Sequence, residues 1–113
     1  MGTWGTGIFD NDIASDARGV WDDAFARGPE AAKSAVKAEL ADALEDEEDG
    51  PLIWIALAEL QLTRASLDDE VRREALAAID LDSEHWQHEA SPADATERGR
   101  VLEELRARIE AAR

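Results

Sequence analysis

The two histidines of the chain, His85 and His88, are the residues whose type and spacing most directly suggest chemistry. Residues three apart lie on one face of a helix, and imidazole nitrogens are common zinc ligands. Zinc sites use at least three protein ligands, and because the chain has no cysteine, a third would have to be a carboxylate. We therefore expect no metal site here, but two solvent-facing histidines on either side of a buried Trp86.

A second candidate is the run Asp10-Asn11-Asp12, whose residue types match the first ligands of a calcium-binding loop. That loop also requires an oxygen ligand at its fifth position, glycine at its sixth and glutamate at its twelfth. Those positions hold Ala14, Ser15 and Trp21, which cannot serve. Because a carboxylate at the start of a helix accepts hydrogen bonds from its first N–H groups, we interpret Asp10 or Asp12 as a helix cap.

The other residue types show no catalytic motif. The chain has neither cysteine nor tyrosine, and its serines lack the glycine pattern of a nucleophile elbow. No glycine-rich phosphate loop occurs either. Some pair among 27 acidic residues must approach in space, so closeness of carboxylates alone does not indicate acid–base catalysis. We expect no catalytic residue and no cofactor.

The chain is strongly acidic, with a formal net charge of −15 from 27 acidic and 12 basic residues. Nucleic acids and anionic membranes are bound through basic surfaces, so neither is expected as a direct partner. The acidity has three explanations, of which the first is the simplest: hydration of the surface in a salt-rich or GC-rich host, docking of a basic protein, or mimicry of a nucleic acid. If the chain binds a basic partner, the candidate residues are Trp4, Asp10, Asp12, Glu45, Asp46, Glu47, Glu48 and Asp49.

The length of 113 residues is enough for one small domain, and we expect a single helical domain over 1–113. Alanine is abundant, which favours closely packed helices and an all-α fold. The chain does not open with a basic stretch followed by an apolar one, and its most apolar run, 52–62, is too short to cross a bilayer. We therefore expect a cytoplasmic protein.

Apolar residues at helical spacing predict a compact bundle of five or six helices after an irregular segment over 1–11. Carboxylates oppose the dipole at a helix C-terminus, so the acidic run predicts a loop over 45–50. The residues that follow are apolar around the whole helical circumference, which indicates a central helix. The predicted helices are one that ends at Gly28, then 29–44, 51–65, 68–79, a short turn from Ser83 and a long terminal helix from Pro92.

The opening residues, MGTWGTGIFDND, combine three glycines with two large aromatic residues. Such a segment serves either as a structural hook that buries Trp4 and Phe9 against the helices or as an exposed recognition loop. Large aromatic side chains are more often buried, so we expect a hook.

This opening also resembles the start of a prokaryotic family of uncharacterised proteins that begin Met-Gly-x-Trp-Gly-x-Gly and continue through Phe and an Asp/Asn pair. The segment GPLIWIALAELQ, from Gly50 to Gln61, is similar to a central Gly-Pro-x-x-Trp-x-Ala-Leu-Ala block of that family, and ALAAID followed by Trp86 also fits. The resemblance spans about residues 1–86. It implies no activity, cofactor or site residue, because none is established for the family.

Two kinds of function fit these observations. One is a non-catalytic accessory or inhibitory protein that binds another macromolecule, which suits the acidic surface and the lack of a catalytic motif. The alternative is a small enzyme or ligand-binding domain with carboxylates and tryptophans lining a pocket. A closed cleft of roughly several hundred Å³ with convergent polar groups would favour the alternative, and a filled core with a flat acidic face would favour the first.

Overall fold

The computed structural model describes residues 5–112, which form six α-helices and a short 3₁₀ turn with no β-strand among them. The predicted all-α fold of five or six helices is therefore confirmed. The helices are α1 (Asp12–Ala24), α2 (Pro29–Glu39), α3 (Ala41–Leu44), α4 (Asp49–Thr63), α5 (Asp69–Glu89) and α6 (Pro92–Ala111), and the 3₁₀ turn is Phe25–Arg27.

Short polar side chains begin three of these helices by accepting a hydrogen bond from a backbone N–H in the first turn. The caps are Asn11 for α1, Asp68 for α5 and Ser91 for α6. The cap of α1 is therefore Asn11, and the expectation of Asp10 or Asp12 was wrong. Asp10 turns its carboxylate back to the N–H of Gly7, and Asp12 already belongs to the first turn of the helix.

The fourth helix lies at the centre of the bundle, as the sequence predicted. It contacts α1, α3, α5 and α6, and more than half of its residues are buried. Its buried side chains are continuous with the apolar stripes of its neighbours, which include the fully enclosed Trp21 of α1 and Leu102 of α6. Neither α4 nor any other helix within residues 5–112 has the length and apolar content of a membrane span.

The predicted helix over 29–44 is in fact two helices, with a break at Leu40 (φ −110°, ψ 28°). No glycine or proline marks this break. Leu40 and Leu44 both pack against the core, so we attribute the change of direction to tertiary packing rather than to a local helix breaker.

The acidic loop is shorter than expected, because α4 begins at Asp49 rather than at Pro51. The carboxylate of Asp46 accepts hydrogen bonds from the N–H groups of Glu48 and Asp49, at 2.9 Å each. Acidic residues are favourable at a helix N-terminus, where the dipole is positive. The run that was expected to end one helix therefore also starts the next.

The fifth helix is continuous, so the expectation of a separate short helix from Ser83 was wrong. Asp82 is buried inside this helix, where it is paired with Arg98 of α6. In the sequence, a charged residue at this position indicates that the apolar stripe of the helix has ended. In the structure it continues the buried face of α5.

A polar cluster fastens α2 and the end of α4 to the start of α5. The Lys33 ammonium lies 2.9 Å from an oxygen of Asp68 and 2.8 Å from one of Glu70, and the buried Gln61 donates to Asp68 at 2.9 Å. Burial alone would raise the pKa of Asp68, but hydrogen bonds from Val71 N–H, Lys33 and Gln61 outweigh it and hold the pKa below its ordinary value. The charged form of Asp68 is thus built into the native packing.

Candidate functional site

Four segments of the chain meet around a partly open cleft of about 790 Å³. They are the irregular segment before α1, the turn before α4 together with its first turn, the C-terminal half of α5 and the N-terminal half of α6. We call this space the acidic cleft. It is neither a closed pocket nor a flat surface, so it falls between the two arrangements that would separate the hypotheses drawn from the sequence.

Carboxylates from three of these segments line the acidic cleft. Glu47 and Glu48 come from the turn before α4 and Asp49 from its first residue, Glu89 comes from α5, and Asp94 comes from α6. Burial raises the pKa of Asp49, and the charges of Asp46 and Glu48 raise it further. The negative charges of the cleft therefore repel one another, and a bound cation would relieve that repulsion.

Apolar side chains lie between these carboxylates. Pro51 and Leu52 face the cleft from α4, and Leu81 and Trp86 face it from α5. Leu81 is 59% exposed and is the one large apolar side chain classed as exposed within residues 5–112. The cleft thus pairs a negative surface with an apolar one.

Arg98 lies at the floor of the cleft and is 1% exposed. Its Nε donates to Asp82 at 2.8 Å, and its Nη1 donates to the carbonyl oxygens of Thr6 and Gly7 at 3.1 and 2.9 Å. Its guanidinium carbon also lies 5.4 Å from the centre of the Trp86 ring. Its buried Nη2 has no acceptor within the described part of the chain.

The glycines of the first segment are explained by close approach to Asp10. The N–H of Gly7 donates to the Asp10 carboxylate at 3.0 Å. A Cβ atom on Gly5 or Gly7 would lie 2.5 or 2.8 Å from the same carboxylate oxygen. Ile8 and Phe9 pack against the core. Trp4 and the first glycine lie outside the described residues, and so does the part of the predicted hook that depends on them.

The candidate partner-binding residues of the sequence separate into groups in the structure. Glu47, Glu48 and Asp49 line the acidic cleft, whereas Asp12 and Glu45 are exposed outside it. Asp10 and Asp46 have structural partners in the backbone. Three of the candidates are therefore brought together with Glu89 and Asp94, which were not among the predicted partner-binding residues.

His85 lines the cleft, and both histidines are exposed as expected. Trp86 is half-buried, so the expectation that it is buried was wrong: its ring packs near the Arg98 guanidinium, and the residue also lines the cleft. Within residues 5–112, no group of three or more histidine, cysteine or acidic side chains is arranged to hold a metal ion.

The pair Asp82–Arg98 was missed by the sequence reasoning. The signal that could have found it is the apolar stripe of α6, where Arg98 takes the place of an apolar residue between Ala95 and Leu102. A charge within such a stripe requires a buried partner. The spacing of 16 residues to Asp82 follows no local pattern, so the partner itself was not predictable.

Comparisons with protein-family models, with curated proteins and with solved structures found no match to this chain. The resemblance of its opening and central segments to a prokaryotic family therefore stays a prediction.

Proposed function

We propose that this protein is a non-catalytic accessory or inhibitory protein that binds a basic segment of another protein in the acidic cleft. The observation that carries the proposal is the meeting of five carboxylates, besides the paired Asp82, from the turn before α4, α4, α5 and α6 around apolar side chains of which Leu81 is mostly exposed. Charge complementarity steers a partner and sets its orientation, and burial of apolar surface supplies affinity.

The net charge of the cleft supports a cationic occupant. Among the described residues that line it, Arg98 is the one basic residue besides His85, and Asp82 already balances its charge. Within residues 5–112, the neighbouring carboxylates therefore have no cation of their own in the cleft. An anionic ligand would meet repulsion here, whereas lysine or arginine side chains would be attracted.

A small-molecule ligand is the second candidate, because the cleft volume lies within the range of about 300–1,000 Å³ that is usual for such sites. A cationic ligand would be selected by the same carboxylates. The cleft is open along part of its length, as a protein-binding groove is, and this favours a macromolecular segment.

Calorimetric titration with a lysine-rich peptide tests the proposal, with a glutamate-rich peptide of the same length as the reference. The variant Glu47→Lys/Glu48→Lys changes the charge of the cleft, and Asp22→Lys/Asp23→Lys makes the same change on exposed residues of α1 outside it. We expect the cleft variant to weaken binding about tenfold or more, or about 1.4 kcal/mol, and the control to have a much smaller effect. Equal losses in both variants, or no binding to the wild type, would refute the proposal.

A further inference from the structure

We infer that the occupant of the acidic cleft is a short amphipathic helix of a partner protein, with an apolar stripe flanked by lysine or arginine. This inference rests on the proposed function and goes beyond it, since it specifies the conformation and the side-chain pattern of the bound segment.

The dimensions of the cleft fit about two helical turns. The α5 wall runs from Leu81 to Glu89, which at about 1.5 Å per residue is a length of about 12 Å. Two turns of a helix about 10 Å wide occupy roughly 850 Å³, and the cleft measures about 790 Å³. A helix of this length can therefore lie along α5 with most of its volume in the cleft and only its outer edge in solvent.

The backbone of the walls favours a helix over an extended peptide. Most of the wall is helical, so most of its N–H and C=O groups are bonded within α4, α5 and α6. No strand edge occurs within residues 5–112, and in the irregular segment the carbonyls of Thr6 and Gly7 already accept from Arg98. An extended peptide would find few backbone partners here, whereas a helix satisfies its own backbone.

The side chains of the walls define the pattern of the occupant. Leu52, Leu81 and Trp86 offer apolar contact to residues spaced i, i+3, i+4 and i+7 along the bound helix. Carboxylates lie around the start of α4 and on α5 and α6. We therefore expect the bound helix to carry basic residues beside its apolar stripe.

A second observation points to a peptide rather than to a simple amine or a metal ion. The buried Nη2 of Arg98 has no acceptor among the described residues. Because Asp82 compensates the charge of Arg98, and because the cleft repels anions, the suitable acceptor is a neutral carbonyl oxygen. The last turn of a helical peptide leaves carbonyl oxygens without an intrahelical partner, and one of these can accept from Arg98, whereas a polyamine carries no carbonyl.

The test compares synthetic peptides of about 14 residues made from leucine, lysine and alanine. One peptide has the helical pattern, one has the same composition with leucine and lysine alternating, and one has the helical pattern with a central proline. Spermine is the amine without a carbonyl. We expect the helical peptide to bind at least about tenfold more tightly than the other probes, with a gain of helical circular dichroism on binding.

The variant Leu81→Gln provides the matched test on the protein side. Leu81 is mostly exposed, so the fold is expected to be unaffected, and the advantage of the helical peptide over the alternating one should be largely lost. Equal binding of all three peptides would refute the helical conformation of the occupant and leave the proposed function standing. If spermine bound as tightly as the helical peptide, the inference that the occupant is a peptide would be refuted. If no cationic probe bound, the proposed function itself would be refuted.

Discussion

Substitution of Asp82 by alanine is expected to cause a large loss of stability. Asp82 is 5% exposed and accepts a hydrogen bond of 2.8 Å from Nε of Arg98, which is itself 1% exposed. Its removal leaves Nε without an acceptor, beside the Nη2 that already has none within the described residues. Among the described residues, the guanidinium then keeps the two backbone carbonyls of the first segment and the face of Trp86.

Loss of one partner from a buried ion pair costs about 3–5 kcal/mol, since the remaining charge stays buried. The total stability of a domain of this size is about 5–15 kcal/mol. At about 4 °C per kcal/mol, the melting midpoint of Asp82→Ala should fall by about 12–20 °C. The buried Trp21 gives a fluorescence signal for urea unfolding that measures the free-energy difference directly.

Asp80→Ala is the matched control, because Asp80 lies two residues earlier on α5 and pairs with Arg106 at the surface. Its side chain is 72% exposed, so the expected loss is about 1 kcal/mol or less. If Asp82→Ala also lost less than about 1 kcal/mol, the pair would not hold the chain together as described, and the reasoning from burial would fail.

Further predictions concern glycine packing, acid stability and salt. Gly50→Ala should lower the stability of the fold by about 1–3 kcal/mol, because the new Cβ would lie 2.5 Å from the carbonyl oxygen of Leu44. Gly19→Ala is the matched control: nothing lies within 4 Å of its new Cβ, so thermal melts should show a gain in stability of up to about 1 kcal/mol. The pKa values of Asp68 and Glu70 lie below their ordinary values, Glu70 because Lys33 and Lys37 donate to it. The stability they contribute is present above about pH 4.5 and is lost as pH falls through their native pKa values. Asp68→Asn keeps the α5 cap, and urea titrations should show that its free energy of unfolding falls less steeply at acid pH. An unchanged dependence on pH would contradict the assignment. The melting midpoint should rise with potassium chloride, because the net charge of −15 makes like charges repel one another and ions screen that repulsion beyond about 10 Å at 0.1 M. A flat or falling midpoint would mean that local ion pairs already compensate the charge.

Helical periodicity was enough to predict the fold class and the central position of α4. The apolar residues of α4 surround its axis, and a helix with that pattern that is too short to cross a bilayer is enclosed by other helices. Pro29 and Pro92 also mark the starts of α2 and α6, because proline is compatible with the first turn of a helix and not with its interior. Local sequence signals therefore predicted the first residue of most helices to within a few positions.

The features that the sequence did not predict depend on contacts between distant residues. The break at Leu40 has no local signal, and α5 continues through Asp82 only because Arg98 of α6 compensates the buried charge. The same holds for the acidic cleft: the run 45–49 was recognised as a candidate, but Glu89 and Asp94 join it through the packing of α5 and α6. Pattern analysis along the chain does not give such assemblies.

The hydrogen bonds from Arg98 to Thr6 and Gly7 connect residues about 90 positions apart. During synthesis on the ribosome, the first segment emerges long before α6 does, so this wall of the cleft lacks its fastening until nearly the whole described chain has been made. Contacts of such separation also form late in folding, because the entropy of closing a long loop is lost before the contact is gained. A growing chain can thus bury the α1–α4 side of its core while the cleft still lacks α6, so the proposed capture of a basic partner would have to wait until α6 has been made.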